Sequence, residues 1–221
     1  MEHRRILVEY YDKRAPEFDR IYEIPGRQKD IATLKNLVRP VFAGHDVLEI
    51  ACGTGYWTEV ISQSAKSITA IDINAAPIEA ARKRNYSCPV SFRIGDAFDM
   101  QAMANDKFTA AFASGWWSHI AKSELKTFLL KLHSVLQPQA LVVFCDNLFV
   151  AGLGGPASTP ISRRDAGGNT WQKRKISSGE SFEIIKNFPT KEEVDQLLAD
   201  VALDILWTEL QYFWLLEYRV K

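Results

Sequence analysis

Apolar residues along this chain fall into two repeating patterns, short continuous runs that suit strands and 3.6-residue stripes that suit helices. Val47 to Ile50, Ser67 to Ile73 and Val90 to Ile94 are short strand candidates. Phe108 to Ala113 and Ala140 to Cys145 are almost continuously apolar, as expected of strands covered by helices on both faces. Between them lie helical stripes. Ile31, Leu34 and Val38 mark a helix from Arg27 to Val38 that should end before Pro40. Pro77 is suited to the first turn of a short helix carrying Ile78, Ala80 and Ala81. Leu125, Phe128, Leu129, Leu132, Val135 and Leu136 form the clearest stripe, with His133 beside it. Five strand–helix alternations predict a doubly wound sheet that binds ligands at the carboxyl ends of its strands.

The ends of the chain read differently. Residues 2–13 place Ile6, Leu7, Tyr10 and Tyr11 on one side of a helix broken before Pro16, and an aromatic connector, Phe18 to Tyr22, follows. Residues 147–169 read as a long loop rich in Gly, Pro, Ser and Asn, including Gly152, Gly154, Gly155 and Pro156. Trp171–Ile176 and Phe182–Phe188 predict a β-hairpin, about 170–188, over the mouth of the site. Thr190 and Glu193 form a capping box for a helix carrying Val194, Leu197, Leu198 and Val201. Residues 203–209 and 210–220 read as a final antiparallel pair. The expected organisation is a single domain, 1–221. It comprises a helical lid (1–40), a ligand-binding core (45–146), an inserted loop and hairpin (147–188), and a closing helix and strand pair (189–221).

Candidate chemistry concentrates at Glu49-Ile50-Ala51-Cys52-Gly53-Thr54-Gly55-Tyr56-Trp57-Thr58, a strand, a glycine turn and a helix start. Glycines let the backbone approach a ligand closely, and the helix presents unpaired N–H groups at the same place. By itself this turn also fits a protein without a nucleotide. Acids recur, however: Asp72 ends the second strand, about 20 residues on, where a dinucleotide fold places a ribose-binding carboxylate. Asp96 follows the third.

Together, Glu49 to Gly55, Ile71-Asp72-Ile73 and Gly95-Asp96-Ala97 resemble the class I S-adenosylmethionine (SAM)-dependent methyltransferases of the small, single-domain kind. The resemblance spans roughly residues 45–150. It implies a Rossmann-like α/β fold with a seven-stranded, mostly parallel sheet, helices on both faces and an N-terminal helical lid. Ala51 stands where many members have glycine. A G-x-G-x-x-G fingerprint would need glycine at Thr58, which counts against NAD and a Rossmann oxidoreductase. By this resemblance Glu49 and the Gly53 backbone hold the amino-acid end of SAM, with Tyr11 and Arg27 meeting its carboxylate. Asp72 accepts both ribose hydroxyls, Asp96 the adenine amino group, and Ala97 offers its N–H to the ring on which Ile73 packs. Ala51, Gly55, Trp57 and Ser114 complete the cofactor set. No metal is expected, and the product would be S-adenosylhomocysteine (SAH).

The fourth strand runs into Ser114-Gly115-Trp116-Trp117-Ser118-His119. Trp116 and Trp117 are expected to wall the acceptor pocket with Tyr22, and His119 is the candidate general base, its intrinsic pKa lying near neutrality. Arg163, Arg164, Lys173, Arg174 and Lys175 are a local basic surplus. The interleaved Asp165, Glu180 and Glu183 favour a solvated face over an acidic-substrate site.

Composition narrows the partners. Lysine plus arginine and aspartate plus glutamate each number 27, giving no net charge and no general pull toward nucleic acid or an anionic membrane. Cys52, Cys88 and Cys145 match neither a disulfide frame nor a zinc pattern. With no signal-like start and no bilayer-length apolar run, a cytoplasmic monomer or homodimer is expected. The expected activity is methyl transfer to an oxygen, nitrogen or carbon of a small molecule. The alternative is an inactive SAM- or SAH-binding module.

Overall fold

A computed structural model describes residues 2–100, 103, 106, 108–151 and 159–221. Its centre is a seven-stranded sheet in the order β3-β2-β1-β4-β5-β10-β9. The strands β1 (Asp46–Ile50), β2 (Ser67–Asp72), β3 (Val90–Ile94), β4 (Phe108–Ser114) and β5 (Leu136–Asn147) run parallel. A later pair closes one edge: β10 (Phe213–Val220) lies antiparallel to β5, and β9 (Ala202–Glu209) lies antiparallel to β10. Because β1 lies between β2 and β4, the connections leave in opposite directions at β1, which opens a crevice above its carboxyl end.

Helices cover both faces of the sheet. On one face α2 (Gln28–Val41) and α3 (Tyr56–Ser62) bury Leu34, Val38, Phe42, Trp57 and Ile61 against β1, β2 and β4. Full burial of side chains of this size stabilises by about 1.5–3 kcal/mol each. On the other, α5 (Leu125–Ser134) and α6 (Lys191–Leu198) pack Phe128, Leu132, Val194 and Leu198 onto β4, β5 and β10. The Thr190 side chain accepts from the Glu193 amide and the Glu193 side chain from that of Thr190, so the expected capping box is made. The short α4 (Ala75–Ala81) carries Pro77 in its first turn.

Three details differ from the sequence reading. Pro40 lies inside the last turn of α2, where only one backbone hydrogen bond is forfeited and the ring is tolerated. Val135 caps α5 and Leu136 already belongs to β5, so the end of that apolar stripe is strand. The hairpin is a three-stranded sheet, β6 (Ile161–Arg164), β7 (Thr170–Lys175) and β8 (Ser181–Ile185), whose first strand was expected to be loop. Gly152, Gly154, Gly155 and Pro156 lie outside the described residues.

The N-terminal segment, α1 (Glu2–Arg14) and a 3-10 stretch (Ala15–Tyr22), lies against the small sheet. Leu7 and Tyr10 pack on Ile176 and Ile184, forming a satellite core away from the main sheet. Among the described residues, no helix is long and apolar enough to cross a membrane.

Candidate active site

A cavity lies between the strand tips, the N-terminal segment and the small sheet. At β1 the chain turns sharply: Ala51 has φ +52° and Gly53 φ +55°. A left-handed alanine is uncommon, and such strain concentrates at functional turns. Small size matters here less than backbone angle, the reason glycine suits position 51. The Gly53 amide donates to Asp72 Oδ2 at 2.9 Å and the Asn74 amide to Oδ1 at 2.9 Å. Burial raises the Asp72 carboxyl while these amides lower it. Each oxygen retains acceptor capacity toward the cavity. Asp96 accepts from the Phe98 amide at 2.8 Å, and Ile73, 44 % exposed, lies on the cavity wall with Ala97.

Several expected ligand residues sit behind this surface. Glu49 is fully buried, its Oε2 without a hydrogen bond, and burial lifts its carboxyl to about 8 with help from nearby Asp72. Trp57 packs on Phe112 in the core rather than on the cavity. Gly55 serves packing: at φ +78°, an added Cβ would fall 2.5 Å from the Tyr86 hydroxyl and 2.9 Å from Ala81 Cβ. Trp117 is wedged between Phe144 and Trp214 at 5.1 and 6.0 Å, so of the two tryptophans only Trp116 lines the cavity. Ser114 and Tyr22 line it too, Tyr22 stacking on Tyr56 at 3.6 Å.

His119 lines the cavity with both ring nitrogens engaged. Nδ1 is 2.7 Å from the Ile185 carbonyl and must donate to it, which makes Nε2 the acceptor of the Tyr11 hydroxyl at 2.7 Å. Burial and the neighbouring Lys186 charge hold the ring neutral, with its pKa lowered to about 3. Tyr11 is pushed above its ordinary value by burial. In the ligand-free chain the expected base is thus engaged at its accepting nitrogen, and burial disfavours its cation.

Positive charge gathers at this end. Arg27 is 3 % exposed, lying over the Tyr212 and Phe213 rings and donating to Asn147 Oδ1 at 3.3 Å. Arg14 donates to the Tyr10 hydroxyl at 2.7 Å. Arg174, 8 % exposed, bonds Thr159 Oγ1 at 2.8 Å and Gln172 Oε1. Lys186 pairs with Asp146 at 2.8 Å, deep inside. Burial alone would raise Asp146, but the Lys186 ammonium outweighs it and keeps the carboxyl ionised.

Arg14, Arg174, Lys186 and Asp146 were absent from the sequence-derived site. Strand parity was the available signal for Arg174. Thr170, Gln172 and Arg174 share the buried face of β7, whereas Lys173 and Lys175 are exposed. The expected solvated basic face is thus split, with Arg174 turned inward and Arg163, Arg164, Lys173 and Lys175 outward.

The small sheet is fastened to the main one beneath these charges. Lys186 Nζ also donates to Ser118 Oγ at 2.6 Å, and the Ser118 amide donates to Asp146 Oδ2 at 3.0 Å. Asn187 donates from its backbone to the Ser118 carbonyl at 2.7 Å and from its side chain to Ile120 O at 3.0 Å.

Residues 47–139 match the methyltransferase domain family model. With the sheet order and strand-tip cavity above, the chain is similar in fold and in this segment to the class I SAM-dependent methyltransferases. Among solved structures it is similar to a DhpI–SAH complex, at 26 % identity and TM-score 0.79 over 98 % of this chain and 96 % of that one. A DhpI–SAM–HEP complex is comparably similar, at 28 % identity and TM-score 0.78 over 98 % and 97 %. A malonyl-[acyl-carrier protein] O-methyltransferase of Priestia megaterium is 27 % identical over 149 residues, 65 % of this chain and 52 % of that protein. The chain thus spans about half the length of that curated relative.

Proposed function

We propose that this protein transfers a methyl group from SAM to a small molecule. The observation that carries the reading is Asp72, pinned by two backbone amides at the lip of a cavity that continues to Trp116 and His119. The donor set suits the cofactor. Asp72 meets vicinal hydroxyls, Ile73 offers an apolar surface to a base, Asp96 an acceptor to its amino group, and Arg27 a carboxylate site, the Tyr11 hydroxyl proton being already given to His119. When bound, SAM supplies an electrophilic methyl group on a sulfonium.

The protein contributes alignment and exclusion of water. Gly53 and Ala51 allow close approach, and Trp116, Phe98 and Tyr22 line the chamber with aromatic side chains. Glu49 contributes from behind, as a carboxyl whose ionisation a bound cation would favour. A cytoplasmic location and action as a monomer or homodimer fit this reading.

Isothermal titration with SAH tests it: saturable binding is expected, with none for NAD. Equal binding of NAD, or none of SAH, would overturn it. The occupied Nε2 of His119 is what favours the second reading, an inactive SAH-binding module. Incorporation of radiolabelled methyl into any small acceptor excludes that reading.

A further inference from the structure

The cavity is electrically divided. Asp72 and Asp96 stand on one side, whereas Arg14, Arg27, Arg174 and Lys186 converge on the other from four separate stretches of chain. These cations sense one another. Burial lowers the Arg174 pKa, Tyr10 and Tyr11 raise it in part, and the Arg14 and Arg27 charges lower it again. Asp146 is the acid lining that end, and Lys186 occupies it. Such a cluster is costly to maintain in a folded interior, and a bound anion would relieve the repulsion.

A second observation points the same way. His119, the titratable ring nearest neutrality at this end, is locked neutral between Ile185 and Tyr11. An alcohol or ammonium acceptor would need a base to remove its proton, whereas an oxyanion would not.

We propose that the methyl acceptor carries a small oxyanion, a carboxylate or phosphoryl group, held by Arg14 and Arg174. Arg27 is left for the carboxylate of the cofactor, and the inference rests on the methyltransferase reading. In the step, a lone pair on the acceptor oxygen forms the O–C bond as the methyl C–S bond breaks and its electron pair stays on sulfur. The acceptor loses one negative charge, the sulfonium loses its positive one, and no proton is released. The products are a methyl ester and a neutral thioether. Arginine suits this task because its planar donor fork matches either oxyanion.

The test begins with SAH titration of the whole chain. The SAH-bound protein is then titrated with acetate, inorganic phosphate and the neutral acetamide. Binding of one anion at least about tenfold tighter than acetamide is expected, a factor that corresponds to ~1.4 kcal/mol. Arg174→Met and the half-buried Arg14→Met should each weaken that anion at least about tenfold while changing SAH affinity less than about twofold, with Arg174→Lys intermediate. Melting curves with SAH report whether each variant is folded, and Arg14→Met carries the test if Arg174→Met is not. Labelled-methyl turnover of matched carboxylic acids, phosphate monoesters, alcohols and amines then separates the two oxyanions. Anion binding unchanged in the folded variants, or turnover confined to alcohols and amines, overturns the inference while leaving the cofactor reading intact. Failure of SAH to bind overturns both.

Discussion

The strand-tip side of the cavity and its cationic side are built in opposite ways. The first is local: Ala51, Gly53, Asp72 and Asn74 sit on two adjacent β–α turns, and backbone amides fix the carboxylate. The second is assembled at long range, from α1, the start of α2, the end of β5 and the small sheet. The contrast separates a fixed grip, which any member of such a family can share, from a chamber that specific side chains define. It teaches that cofactor and acceptor recognition should fail independently.

The largest effect expected is on the cationic side. Lys186→Met strands a buried Asp146 charge and should cost about 3–5 kcal/mol in urea unfolding. Lys186→Met with Asp146→Leu should recover much of that, and full additivity of the two losses would show that the pair is not coupled. Next comes the local side: Asp72→Ala removes charged acceptors worth about 1.5–3 kcal/mol per hydrogen bond. SAH affinity by titration should fall at least about tenfold with anion binding unchanged. Loss of both would erase the division.

The pH response sharpens the contrast further. The Glu49 carboxyl is raised by burial to about 8. Stability from its protonated form is complete below the ordinary carboxylate value, 4.5, and is lost as pH rises through 8. The melting temperature of the ligand-free protein should therefore fall between pH 5 and pH 9 (roughly the window the two pKa values set), and Glu49→Gln should flatten that slope. An equal slope in both proteins would place the titration elsewhere. The smallest effect belongs to Tyr11→Phe, which loses one hydrogen bond of about 0.5–1.5 kcal/mol. Its melting temperature should drop slightly, and the pH dependence of kcat/KM should not move. A shift would mean that His119 does take the proton.

The same contrast explains what was legible in the sequence. Apolar periodicity and recurrent strand-end acids expose the sheet and its lip because a few neighbouring residues decide them. The strand of Ile161–Arg164 carries no apolar run, its pairing being supplied by β7. Trp117 and Trp116 are adjacent and chemically identical, and only the packing of Phe144 and Trp214 decides which one faces inward. For His119 the residue type was visible, whereas the Tyr11 and Ile185 partners that cancel its basicity come from 108 and 66 positions away.

The fastening of Lys186 and Asn187 to Ser118 has a consequence for traffic. One wall of the chamber is stitched through buried polar bonds, whereas α1 is secured by a small apolar patch, by the part-exposed ion pairs of Arg4 with Glu124 and Lys13 with Glu180, and by ties such as the Asn74 side-chain Nδ2 to the Val8 carbonyl at 3.0 Å. Local opening follows the fewest buried contacts. The first helix is thus the wall we expect to lift as small molecules come and go, with the three-stranded wall as the frame against which it recloses.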